Sequence, residues 1–391
     1  MSRCFYLKTH ARLIARLRAA RISRSPRKEK AAVRDYLGSK AAWHAIADRV
    51  LDDRPGEPRD EREARVAALA SRVEPFRPCR EPVRWWRVEK KRSGEYRVIC
   101  DLPPVLRLRH LMIREVLSVL FRPHGHIFDI KGVGRDRLAR SVKAAMEEGF
   151  THAYVGDVRN CFPSVNPDAF ELLPLPKQVI RYALDYRNLH FRHDIVKERA
   201  MCLPLGHGIP FQGLDGPSGN LQGSPTANLI LAWLLNDMDE HLSSSCRLFL
   251  LSDNIIVLAR SERACRRIDL TLTRYFREHQ AGPFVLEGEI RSTQVGFDTL
   301  GYNFRLDKST GEACIDFTDT HAARIIRRMD CAIREDKAAG RVEPDRALKV
   351  LHGMRSGFRA ATCLEGMFMM GLEYAQNELL EHAGLPMEVG Q

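Results

Sequence analysis

The chain has 391 residues, with 62 Lys or Arg against 50 Asp or Glu, a net charge of +12. That length suffices for a large core or for roughly two to four subdomains, and the positive excess favours polyanionic partners such as nucleic acid, without excluding an acidic protein or a membrane surface. No apolar run approaches the roughly 20 residues of a membrane helix, so the chain reads as soluble, with no membrane partner. Ten cysteines, scattered from Cys4 to Cys363 without a C-x-x-C pair, match neither zinc-ligand spacing nor a dense disulfide framework and fit a reducing, cytoplasmic setting.

There is no internal repeat. No acid precedes Glu29, and this opening stretch reads as a basic arm or first helix rather than an arginine-rich transit peptide, because it runs straight into helical pattern and lacks a small-residue cleavage site. Residues 30–72 predict helices broken by the turn-like DDRPGEPRD. VRWWRVEKKRSGEYRVICDLPP predicts two strands joined across Lys91-Arg92-Ser93-Gly94, a hairpin with a basic tip. Helices are expected over 106–120 and 135–148, then a short strand, HAYVGDV, ending at Asp157. Residues 172–219 mix helix with Gly- and Pro-punctuated loop. Beyond them, GSPTANLILAWLLNDMDEHL predicts a helix that is apolar nearly all round and therefore buried, with Ser224 as its N-cap and Pro225 at its first position. LFLLSDNIIVLARS reads as two apolar strands separated by an Asp253-Asn254 turn. From about Thr318 the chain is helical again, and the tail GLPMEVGQ looks frayed.

Strand, helix, then strand-turn-strand carrying an acid is an order consistent with an α+β sheet backed by helices, and it would set Asp157 and Asp253 side by side at neighbouring strand ends. Two carboxylates held together either take up a proton or need a cation between them. Hard divalent ions such as magnesium accept such oxygens and are completed by substrate phosphates, and a two-ion site clamps the attacking and leaving oxygens of an in-line phosphoryl displacement. The sequence thus permits nucleotidyl transfer. Taken singly, Asp157 also reads as a strand-end acid and Asp253 as an ordinary turn residue.

Five blocks in order over about residues 84–304 carry a resemblance to the reverse transcriptases. YVGDVRNCFPSV resembles their first catalytic block, and NLQGSPTANLILAWLLNDMDE their Gln-Gly block with its helix. LLSDN lies where the family has Tyr-x-Asp-Asp. KKRSGEYRVI is similar to the fingers hairpin and GFDTLGYNF to the strand signal after the catalytic hairpin. The resemblance implies a right-hand α+β polymerase: a helical basic N-terminal extension (1–80), fingers (81–152), the first catalytic palm strand (153–171), a fingers/palm insertion (172–215), palm with the catalytic hairpin (216–317) and a helical thumb (318–391).

Carried over residue by residue, it gives Asp157 and Asp253 as catalytic ligands of two Mg2+ ions, with Mn2+ as an alternative, the Val158 backbone oxygen as a further contact and Asn254 as a weak one. Phe162 would lie beneath the incoming sugar and favour deoxynucleotides, although an aromatic after a strand is most often core. Gln222 and Gly223 would line the nucleotide pocket, the glycine allowing close backbone approach; otherwise they are a loop before a helix. Arg97, with Lys91 as the weaker candidate, would grip the triphosphate, since a planar guanidinium matches phosphate oxygens bidentately. In HAARIIRRMDCAIRED, Arg324, Arg327 and Arg328 fall on one side and Ile325, Met329 and Ile333 roughly opposite. Such arginines in a thumb would track a primer-template duplex, and a plain solvated face is the alternative. EGMFMMGLEYAQNELL reads as packing between helices.

The pattern departs from the family in places. Asn254 replaces the second aspartate of the hairpin and Leu251 its tyrosine, so two carboxylates stand where most relatives hold three. Ala227-Asn228 stands where Ser-Pro is usual. The expected lysine before the later strand is replaced at best by Arg291, which is a poor proton donor. About 75 to 90 residues after the palm leave little room for a ribonuclease H or maturase domain. The best match is therefore the bacterial group that includes defence-associated and abortive-infection reverse transcriptases. It implies an RNA-directed DNA polymerase using dNTPs, with an RNA template or non-coding RNA, a DNA product and a partner protein or a second copy. An inactive polymerase fold that binds RNA, a template-independent DNA polymerase and an RNA-synthesising polymerase are the alternatives.

Overall fold

The computed structural model describes residues 3–52, 54, 56–90, 95–130, 132–202 and 216–383. In chain order the first part comprises helices α1 (Arg3–Ser23), α2 (Pro26–Leu37), α3 (Lys40–Ala47) and α4 (Arg59–Ser71), strands β1 (Val83–Glu89) and β2 (Tyr96–Asp101), and helices α5 (Pro104–Leu120) and α6 (Gly134–Glu147). The middle holds β3 (His152–Arg159), short α7 (Cys161–Ser164) and α8 (Lys177–Val179), β4 (Phe191–His193), α9 (Ile195–Cys202) and α10 (Ala227–Leu234). Then come β5 (Arg247–Leu251), β6 (Asn254–Ala259), α11 (Glu262–Glu278), β7 (Val285–Ser292), β8 (Phe297–Thr299), β9 (Tyr302–Leu306), β10 (Ala313–Phe317), α12 (Asp319–Ala338), α13 (Asp345–Gly357) and α14 (Leu364–His382). The architecture is α+β with mostly antiparallel sheets. Among the described residues no helix is long and apolar enough to cross a membrane. The chain divides into two compact units, Met1–Gly125 with Val158–Met238 and Thr273–Leu286, and His126–Asp157 with Asp239–Leu272 and Glu287–Gln391.

In the first unit, α5 buries Val105, Leu106, Leu108, Met112, Ile113, Val116, Leu117 and Leu120, the stripe that a 3.6-residue period produces. A part-buried charge cluster fastens the N-terminal helices to it. The Glu115 carboxylate accepts from the Tyr36 hydroxyl at 2.5 Å and Arg49 at 2.6 Å and lies 2.7 Å from His10 Nε2. Burial raises the Glu115 pKa, but these hydrogen bonds outweigh it and hold the group at about 2. The β1–β2 hairpin pairs from Arg84↔Asp101 to Glu89↔Tyr96, and β4 adds in parallel to β1. The basic tip of this hairpin, Lys91 included, lies outside the described residues, as do 203–215 and the tail from 384.

In the second unit the four-stranded sheet runs β5-β6-β3-β7. The interior position of β6 explains its unbroken apolar run: Ile255 to Ala259 are all at most 1 % exposed. Helix α6 buries Leu138, Ala139, Val142, Ala145 and Met146 against a core shared with the β8–β9–β10 sheet and α12–α14. Thr318 caps α12 through the His321 N–H, and Ile325, Met329 and Ile333 are buried while Arg324, Arg327 and Arg328 are exposed, as the helical spacing predicts.

Two local expectations need correction. The apolar helix starts at Ala227 with Thr226 as its N-cap, two residues later than expected, although the Ser224 hydroxyl accepts the Thr226 N–H at 3.1 Å and lies 2.7 Å from His110 Nδ1. The hairpin turn is Ser252–Asp253, not Asp253–Asn254, since Asn254 already pairs with Leu251 as the first residue of β6.

Candidate functional site

The antiparallel register of β3 and β6 places Asp157 opposite Asn254, so Asp157 and Asp253 come to neighbouring strand ends of one sheet. Asp157 is exposed and Asp253 half-buried, while Val158, next on β3, is buried. The Asn254 amide donates to Asp253 Oδ1 at 3.2 Å, which fixes the orientation of that carboxylate.

A third carboxylate, not singled out from the sequence, joins them. Residues 126–129 run beside β5: the Leu250 N–H donates to the His126 carbonyl at 2.8 Å, and the Phe128 N–H to the Leu250 carbonyl at 2.9 Å. This carries Asp129 to the tip of the hairpin, where its Oδ2 accepts the Ser252 N–H. Burial pushes the Asp129 carboxyl up to about 6; the Ser252 hydrogen bond opposes that rise and the charge of Asp253 adds to it. In HIFDIKG nothing distinguishes Asp129 from any loop acid; only the long-range pairing reveals it.

The carboxylates of Asp157 and Asp253 and the amide oxygen of Asn254 are hard donors. Two carboxylates held together are relieved by a divalent cation, so the Asp157, Asp253 and Asn254 oxygens fit Mg2+, with Asp129 engaged by the Ser252 N–H. The same unit holds a softer pair, His126 Nδ1 at 3.5 Å from the Asp239 carboxylate. Imidazole donors suit transition metals better than magnesium. Arg291 lies exposed on β7 and pairs with Glu289 at 2.5 Å, away from any described contact with the aspartates.

The first unit gathers most of the other candidates. The Cys100 N–H on β2 donates to the Gln222 carbonyl at 2.8 Å, and Gly223 has φ +100°, with the Cys100 carbonyl oxygen 2.2 Å from where a Cβ would stand. Only glycine meets both demands. Exposed Arg97 lies three residues upstream on β2, the strand to which the Gln-Gly segment is bonded. Phe162, 8 % exposed in α7, is held by the same loop: the Asn220 N–H donates to its carbonyl at 2.8 Å, and a Cβ on Gly219 would stand 2.3 Å from that oxygen. Lys90, adjacent to the expected Lys91, reaches Asn160 Oδ1 at 2.8 Å and ties the base of the hairpin to the turn after β3. The backbone of Asn160 is left-handed, φ +50°, which asparagine tolerates. His110 anchors the Gln-Gly segment from beneath, with Nδ1 2.7 Å from Ser224 Oγ and Nε2 2.7 Å from the Ala183 carbonyl.

No family model matches the chain, and no curated protein is significantly similar to it.

Proposed function

We propose that the chain is a nucleotidyltransferase of the reverse-transcriptase type, extending DNA from dNTPs and acting with an RNA template or non-coding RNA in bacterial antiphage defence. The observation that carries this reading is the β3–β6 register, which brings Asp157 and Asp253 to adjoining strand ends beside an amide and a third carboxylate. Asp157 and Asp253 would hold two Mg2+ ions, whose chemistry is to lower the pKa of a primer hydroxyl and neutralise a triphosphate. Arg97, Gln222, Gly223 and Phe162 would bind the nucleotide, and the exposed arginines of α12 the duplex backbone. The expected arrangement is fingers, palm and thumb.

The test is incorporation of labelled dNTPs in Mg2+ by the purified protein with its copurifying nucleic acid. Activity is expected in wild type and not in Asp157→Ala or Asp253→Ala; a wild type no better than Asp157→Ala refutes the reading. Asn254, which contributes no charge, favours a second reading as a polymerase fold that binds RNA without catalysis. Tight RNA binding with no Mg2+-dependent nucleotide binding would support it.

A further inference from the structure

The Ser252–Asp253 turn has an unusual backbone. A two-residue hairpin loop with positive φ at its first position is normally filled by glycine, yet here that residue is Ser252, at φ +59°. Such a conformation persists only when the surroundings impose it, and the surroundings that do so are specific. Both backbone groups of Leu250 are engaged by His126 and Phe128, and the Phe128 ring packs 6.0 Å from that of Phe249. The next residue, Asp129, then receives the Ser252 N–H. The Gly134 N–H donates to the Phe128 carbonyl at 2.9 Å and closes the 128–134 loop behind it.

We infer that Asp129 is a positioning residue for the Ser252–Asp253 turn, holding a left-handed serine so that Asp253 faces the site; this rests on the polymerase reading of Asp253. Its role is that of a hydrogen-bond acceptor. An amide at 129 keeps an acceptor of the same shape, whereas alanine removes it, and glycine at 252 adopts positive φ without help.

The test compares Asp129→Asn, Asp129→Ala and the double variant Asp129→Ala/Ser252→Gly in Mg2+-dependent dNTP incorporation, with wild type and Asp157→Ala as references. Asp129→Asn should stay within about threefold of wild type. Asp129→Ala should lose about tenfold or more in kcat and need several-fold more Mg2+ for half-maximal rate, with the KM for dNTP unchanged. The double variant should recover most of that loss. An Asp129→Ala protein with unchanged rate and Mg2+ requirement overturns the inference, as does Asn failing like Ala, or glycine giving no rescue. Hydrogen exchange of the peptide around Ser252 gives a reading independent of activity. Its protection should survive in Asp129→Asn and fall in Asp129→Ala, and equal protection in both overturns the inference. If wild type incorporates no more than Asp157→Ala, the polymerase reading alone has failed and the exchange data still decide the role of Asp129.

Discussion

Gly223→Ala is the sharpest perturbation of the surface proposed to receive the nucleotide. A Cβ at 223 would lie 2.2 Å from the Cys100 carbonyl oxygen, and the backbone there has φ +100°. Cys100 cannot yield easily: it is 3 % exposed and paired with Trp85 in the β1–β2 ladder. An L-residue held in so sparsely populated a region costs about 1–3 kcal/mol. Relieving the clash also disturbs the Cys100 N–H to Gln222 carbonyl bond, about 0.5–1.5 kcal/mol more. The sum is roughly 1.5–4.5 kcal/mol. Gly125→Ala is the matched control from the same unit, since nothing lies within 4 Å of a Cβ there and its φ is not positive. Urea denaturation should show a lower midpoint for Gly223→Ala at unchanged slope, with the KM for dNTP raised at temperatures where the variant is folded. A midpoint equal to that of the Gly125→Ala protein would refute the claim that close backbone approach fixes this segment.

Burial, aided by the charge of Arg109, outweighs the Ala183 hydrogen bond and holds His110 down at about 4. The folded state therefore binds fewer protons than the unfolded one between the ordinary value of about 6.5 and 4, so its stability is complete above pH 6.5 and declines as pH falls, by about 3 kcal/mol. Urea midpoints measured against pH should show this slope in wild type and a weaker one in His110→Gln; parallel curves would contradict it. In the same unit, burial raises the Glu198 pKa, but the bonds from Arg87 and His193 hold the carboxyl at about 2. Glu198→Gln takes the negative charge from beside a guanidinium that is 3 % exposed and should cost roughly 3–5 kcal/mol, read as a fall in Tm. By contrast, Gly353→Ala in α13, exposed and with nothing within 4 Å, should stabilise by about 0.8 kcal/mol through helix propensity; a lower Tm would contradict that.

What could be read from the sequence was what local pattern encodes. The stripes of α5 and α6, the unbroken apolar run of β6 and the opposed faces of α12 all follow from periodicity, and each forms where expected. The adjacency of Asp157 and Asp253 was legible because two strands ending in acids pair most simply as neighbours. Both errors fall where a residue distant in the chain makes a contact that local pattern does not encode. Ser224 keeps a cap-like bond from the Thr226 N–H and also contacts His110, 114 residues away, yet the regular helix starts only at Ala227. Asp-Asn is the better turn pair by intrinsic preference, yet the turn forms one residue earlier because Asp129, 123 residues away, accepts the Ser252 N–H.

That shift changes how Asn254 is to be understood. At the tip of a turn it would be a ligand position emptied of charge. As the first residue of β6 it is instead the cross-strand partner of Asp157 and donates its amide hydrogen to Asp253. An ionised aspartate at 254 could not donate that bond, and it would add a negative charge beside Asp157, Asp253 and the already perturbed Asp129. An amide at 254 and a carboxylate at 129 are therefore compatible where two carboxylates at these positions would repel each other. With Asp129 in place, an amide is the side chain at 254 that both orients Asp253 and adds no further negative charge to these strand ends.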